Sequence, residues 1–364
     1  DLWKTIPIQD GGRLKPLDTF AAFKMLKLHG KRTMRLTHAE ATIKLSPIEW
    51  LLDCLFRADT AVTYPTFTVD NSSVIVAIGL APHKKKRSRY SYTELQPSIE
   101  RLFELAGQYN EIGAQQRNGL QTMTINLASN VNDFEFLLHY FDFARIPLAL
   151  SATDLTPNAD GPLMTTAALQ MLPALRQIYL EGQSREPGST SPVVESLSQI
   201  LHYADTSIGL ALLPPPDTDL LEWQTPGQLI RQAFQGPLPA SEFQLLQALA
   251  DLPKTVETPD RFKEQLQKFH GLVTERAEAR SEYSKIRLEV AFYKGKYFYY
   301  SLCLYVLSFL SIALSWLSSA DSRSSRILTR AAIVLVALPL ILHITGIVLR
   351  CIIRSRPPVS TLYE

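Results

Sequence analysis

The segment Ala331–Leu349, AAIVLVALPLILHITGIVL, runs for 19 residues without a formal charge. As a helix rising about 1.5 Å per residue it would cover roughly 28 Å, close to the hydrocarbon thickness of a bilayer. A second apolar stretch, Phe298–Leu317, precedes it, with Tyr297, Tyr299, Tyr300 and Trp316 at its two ends as an interfacial aromatic belt. The connector at residues 318–330, SSADSRSSRILTR, is short and polar. The expectation is therefore a transmembrane hairpin with spans at 298–317 and 331–353, and with 354–364 opening the next loop. The chain starts at Asp1 and stops at Glu364, soon after Pro357-Pro358, and reads as a piece of a longer membrane protein.

The rest of the composition excludes several functions. Thirty-seven Lys and Arg against 35 Asp and Glu leave a formal charge of +2, too small to imply a nucleic-acid partner. The three cysteines, Cys54, Cys303 and Cys351, form no C-x-x-C and no C-x-x-C-H, so neither a zinc knuckle, a thioredoxin-like motif nor a self-attached haem c is encoded. There is no G-x-S-x-G, H-E-x-x-H, P-loop or dinucleotide fingerprint, and hence no catalytic motif.

Residues 1–258 read as a soluble, mostly helical domain. Gly11-Gly12 and the flanking prolines favour an extended turn, followed by a helix after Pro16 capped by Asp18 or Thr19. Ser46-Pro47-x-Glu49 is a capping box opening SPIEWLLDCLFRA. Thr66–Asp70 and Val74–Gly79 alternate and are rich in β-branched residues, which predicts a small β-hairpin around Asn71-Ser72-Ser73. Helices are expected from Tyr92 to about Gly119, and over Asp133–Arg145, Leu163–Glu181, Ser191–His202, Thr225–Phe234 and Ser241–Leu252. GQSREPGSTSP and LLPPPDTD read as surface linkers. From Pro259 a charge-alternating helix is expected to run through 259–297 towards the membrane and on, nearly unbroken, to Leu317. The fold class is thus mainly α with one small β-hairpin, a soluble helical domain followed by a two-helix transmembrane hairpin.

Several residues invite a functional reading beside a plain one. His343 is ionisable in the middle of a span, where such a group is costly and marks function by default. Neutral imidazole is a common iron ligand, and the competing reading is an interhelical hydrogen bond to Ser or Thr. Pro339 and Gly346 bracket it and can bend the helix. Arg350, Arg354 and Arg356 can hold propionates through charge-assisted bonds or snorkel to headgroups. The run His83–Arg89 reads as a solvated loop or as a contact to anionic lipid or propionates. His139, among aromatics, reads as a packed core histidine rather than a ligand, and Gly11-Gly12-Arg13 with Lys15 as a turn in which Arg bonds backbone, with a partner contact as the other reading.

HITGIVLRCIIRSRPPVSTLYE, residues 343–364, resembles the early membrane region of CcsA-type proteins of the System II (Ccs/Res) cytochrome c biogenesis machinery, where a membrane His is followed by Arg, a Pro-containing exit and L-Y-E. IPIQDGGRLKPLDTFA is similar to the G-R-x-K-P-L/F-D-T element of the large extracytoplasmic domain in extended members, and SPIEWLLDCLF, PTFTVDN and YSYTEL continue the likeness in order. The resemblance touches roughly residues 6–105 and 286–364. It implies a component that delivers or holds haem at the outer membrane face for attachment to apocytochrome c. It further implies a CcsB/ResB-type partner or fused part, contact with membrane lipid, and a tryptophan-rich haem-handling segment beyond Glu364. The resemblance places the main haem site in that later segment, with His343 as a candidate iron ligand and Arg350, Arg354 and Arg356 as candidate propionate contacts within this stretch. The soluble domain would lie on the extracytoplasmic side of a bacterial inner membrane. The positive-inside rule disagrees: Arg323, Arg326 and Arg330 sit in the connector, but Lys294, Lys296 and the three exit arginines outnumber them. A membrane-anchored interaction or sensor domain, or a transporter fragment without haem, remains the alternative.

Overall fold

Gly11 and Gly12 have φ of 60° and 72°, left-handed values that a two-residue hairpin turn requires and that L side chains resist. The extended turn expected there is a β-hairpin: β1 (Pro7–Asp10) pairs antiparallel with β2 (Arg13–Pro16), and Lys15 Nζ meets Asp10 Oδ2 at 2.6 Å. The first helix, α1 (Leu17–His29), starts directly after it, with Pro16 rather than Asp18 or Thr19 in the cap position. Leu17 N donates to Ile6 O at 2.8 Å, so the hairpin backbone takes the place of a side-chain cap. A second hairpin, β3 (Met34–His38) with β4 (Ala41–Leu45), has no counterpart in the sequence reading. The helix α2 (Pro47–Phe56) opens on the expected capping box of Ser46 and Glu49, and a short α3 (Ala58–Ala61) follows it. The computed structural model describes residues 2–38, 41–83, 88–151, 161–175, 177, 192–317 and 323–357. Lys84–Arg87 of the basic run, most of GQSREPGSTSP, and Tyr363-Glu364 lie outside the described residues.

The hairpin expected over 66–79 is not formed. β5 (Phe67–Val69) pairs instead with β6 (Ser88–Tyr90), Phe67 opposite Tyr90 and Val69 opposite Ser88. Between them Val74–Gly79 is largely the helix α4 (Ser72–Ala77), started by Asn71 Oδ1 accepting from Ser73 N at 2.9 Å. β-Branched residues favour strands only weakly, and burial of Val74 and Ile75 outweighs that preference.

The expected Tyr92–Gly119 helix is divided into α5 (Tyr92–Leu95), a 3-10 turn at Gln96–Ser98 and α6 (Ile99–Asn110). The next, α7 (Gly119–Leu138), begins well before Asp133 because Asn118 and Gln121 form a capping box. α8 (Asp142–Arg145), α9 (Thr165–Gln170), α10 (Pro192–Thr206), α11 (Pro226–Gln235) and α12 (Ala240–Lys254) follow. An aromatic core joins them: Phe141 stacks on Phe56 at 5.0 Å, and Phe56 meets Trp3 at 5.5 Å and Phe262 at 5.4 Å.

From Pro259 to Leu317 the chain is three helices rather than one. α13 (Pro259–Ala279) ends where Arg276 and Arg280 bond carbonyls of the 214–220 loop and of Ser241, and Ser281 turns left-handed at φ 58°. α14 (Ile286–Gly295) ends at Lys296, φ 45°, with Gly295 leaving space that a Cβ would contest with the Tyr297 ring at 2.6 Å. α15 (Tyr297–Trp316) and α16 (Arg323–Arg354) are the last two helices among the described residues. The chain forms two compact units, Asp1–Ser281 and Glu282–Glu364. In the second, the stretches Ile286–Trp316 and Arg326–Arg354 are long and apolar enough to cross a membrane. Arg323, Arg326 and Arg330 lie on α16 and not in a connector.

Candidate functional site

The two long helices meet along a seam with a seven-residue period. Ser301, Ser308 and Ser315 are buried on α15, and Ala332, Pro339, Gly346 and Ile353 on α16. A strict 3.5-residue repeat makes neighbouring helices coil left-handed, and small side chains let membrane helices approach closely. Ser308 Oγ donates to Ala332 O at 3.2 Å, and a Cβ on Gly346 would press on Phe298 and Tyr297 at 3.2 Å. The seam therefore sets which α15 side chains reach the region around His343.

His343 lies about 60° around α16 from the seam residue Gly346, on its flank. Its ring is half-buried, 5.2 Å from Phe298 in an edge-on arrangement and 6.5 Å from Tyr305. No described group hydrogen-bonds either ring nitrogen, so the serine or threonine partner weighed above is not formed; Thr345 Oγ1 bonds back to Ile341 O at 2.8 Å. Arg350 and Arg354 stand seven and eleven residues further on, within about 20° of the same helix face and roughly 10 and 16 Å along the axis. Both are exposed. Arg356 follows Ser355, whose φ of 51° ends the helix, and so leaves that stripe. Phe298 and Tyr305 were not singled out from the sequence. Their seven-residue spacing was the available signal, since it puts both on the face beside the serine seam.

The imidazoles of the first unit with defined partners behave differently. His29 Nδ1 is 2.8 Å from Pro65 O, and burial, opposed by that bond, lowers its pKa to about 4. His139 is not a core histidine: it is half exposed, and its Nδ1 lies 2.7 Å from Asp142 Oδ2, which raises its pKa. The same carboxylate is 2.9 Å from Arg145, which also bonds Leu138 O and Leu55 O. His270 lies 2.9 Å from Thr5 Oγ1, and His83 lies 3.2 Å from Glu94 and stacks on Tyr90. Among the described residues, His343 is the half-buried imidazole with both nitrogens free to bind.

Among the described residues no three His, Cys, Asp or Glu side chains gather as a metal site. A haem iron needs only one or two side-chain ligands, with the macrocycle held by apolar walls and cations on its acid groups. An unbonded imidazole between two aromatic rings, with two arginines below it on one helix face, fits that requirement. No family model matches the chain, and neither a curated protein nor a solved structure matches it.

Proposed function

We propose that this chain is a component of cytochrome c assembly that delivers or holds haem at the outer membrane face for attachment to apocytochrome c. The observation that carries the reading is the His343 imidazole, unbonded in the middle of a membrane-length helix and aligned with Arg350 and Arg354. Leaving such a polar group without a partner in hydrocarbon costs free energy, and a ligand offsets that cost. The nitrogen of His343 would face the iron, Phe298 and Tyr305 would wall the macrocycle and exclude water, and Arg350 and Arg354 would pair with propionates. Bound haem supplies the vinyl groups that become linked to apocytochrome cysteines. The resemblance in the chain's ends supports the same reading and the CcsB/ResB-type partner.

In the full-length protein, His343→Ala is expected to lower haem retained on purification and cytochrome c yield. Losing an outer partner of a metal ligand already costs about 10–100-fold in affinity, so losing the ligand should cost at least as much. Added imidazole should restore part of the haem, because the free base fills the vacated iron position. Full haem content in the alanine variant would remove His343 from the site.

The same reading sets the first unit on the extracytoplasmic side, against the arginine count. A cysteine placed at the exposed Glu111 should react with a membrane-impermeant maleimide in cells whose outer membrane alone has been opened. Reaction only after the inner membrane is breached would reverse the assignment.

A further inference from the structure

The antiparallel hairpin brings two distant cationic stretches to one end. Lys285, Arg287, Lys294 and Lys296 approach it from α14 and its flanks, and Arg350, Arg354 and Arg356 from the end of α16. The two stretches are joined directly, since Lys285 Nζ donates to Ser355 Oγ between Arg354 and Arg356. Among the described residues, seven cations thus share this end with two carboxylates, Glu282 and Glu289, and Glu289 is 1% exposed. None of the seven is within ion-pair distance of a carboxylate among the described residues. The first unit handles its cations differently: Lys24 and Lys27 both meet Asp133, Lys15 meets Asp10, and Arg101 meets Glu104.

Cations crowded without counter-charges repel one another, and their placement says what neutralises them. They stand at the mouth of two membrane-length helices, beside Tyr299 and Tyr300, which are exposed as interfacial aromatics are. That is the level of lipid phosphates. We propose that this end of the hairpin binds anionic phospholipid headgroups, with Lys285, Arg287, Lys294 and Lys296, on α14 and at its two caps, as the principal phosphate contacts. α14, bracketed by left-handed Lys296 and by the Ser281 turn, then lies as a surface segment whose charge is complementary to the leaflet. The inference rests on the membrane reading of α15 and α16 and is independent of haem.

The test uses the full chain in nanodiscs of mixed phosphatidylglycerol and phosphatidylcholine, without haem. A donor dye at Ser284→Cys, with Cys303 and Cys351 replaced by serine, reports energy transfer to headgroup-labelled anionic or zwitterionic lipid. Preferential transfer to the anionic lipid is expected. Lys285→Gln, Arg287→Gln, Lys294→Gln and Lys296→Gln together should reduce the preference roughly fivefold or more, the factor that one cation near an anionic surface contributes. Exchanging the three lysines for arginine should keep it, which separates charge from loss of fold. No preference in the parent protein, or the same preference in the glutamine variant, would overturn the proposal and leave an acidic protein surface as the occupant. His343→Ala should not change the lipid signal, so this proposal and the haem reading fail separately.

Discussion

Phe141→Ala is expected to lower the stability of the Asp1–Ser281 unit by about 3–5 kcal/mol, the range for deleting a buried aromatic ring. Phe141 is 1% exposed and stacks on Phe56 at 5.0 Å, edge-on to Tyr140 at 5.0 Å, and 6.4 Å from Phe143. Those neighbours belong to α2, to the turn between α7 and α8 and to α8 itself, so alanine removes contacts that tie separate elements together. The surrounding rings cannot close the void: Tyr140 is held by its hydroxyl donating to Leu210 O at 3.0 Å. Phe103, 37% exposed on α6, is the control, and its alanine variant should lose no more than about 1 kcal/mol. Urea unfolding followed by tyrosine and tryptophan fluorescence makes the comparison. Equal losses at the two positions would show that the core is not organised around Phe141.

Gly227→Ala is expected to be nearly as damaging, about 3 kcal/mol, through overpacking rather than a cavity. A Cβ there would come within 2.1 Å of Ala204 O and 3.1 Å of Ile208 Cγ2. The backbone cannot retreat easily, because Gly227 N donates to Ser207 O at 3.0 Å and fixes the first turn of α11 on the end of α10. Gly236 at the other end of α11 has extended backbone and nothing within 4 Å of a Cβ. Gly236→Ala should therefore be neutral or stabilising by about 0.4–1 kcal/mol, through fewer conformations of the unfolded chain. A shift of the urea midpoint at Gly236 as large as at Gly227 would contradict this account.

Gly227 illustrates a wider division. Its φ is unremarkable, so nothing local demands glycine, and only the approach of α10 does. Helix starts are the opposite case. Ser46 with Glu49 is a local exchange of hydrogen bonds that forms once three residues turn, and its pattern is visible in the string. Ser91 with Glu94, Asn118 with Gln121 and Thr225 with Gln228 are equally local, although the expected start at Asp133 passes over the box at Asn118. The apolar lengths of the last two helices are visible for the same reason, since length and hydropathy are properties of the segment itself.

What the amino-acid order determined alone was therefore the mainly helical character, most helix starts, the two membrane-length helices, and His343 and the arginines as ionisable groups in or beside one of them. Tertiary structure decided the partners. β5 pairs with Ser88–Tyr90 across a helix because strand pairing is non-local, and the β-branched run Val74–Val76 joined a helix that buries Val74 and Ile75. Ser281 and Lys296 break an otherwise helix-forming stretch without a glycine or proline at either residue; before Ser281, Arg276 and Arg280 bond carbonyls of another segment, and at Lys296 the Tyr297 ring packs against Gly295. At the candidate site, Phe298 and Tyr305 lie near His343 because the serine seam sets the register of α15 against α16, whereas Arg350 and Arg354 share its face through the helical period alone. Antiparallel pairing likewise brings Lys285 to Ser355 across 70 residues of sequence, a juxtaposition no local preference encodes.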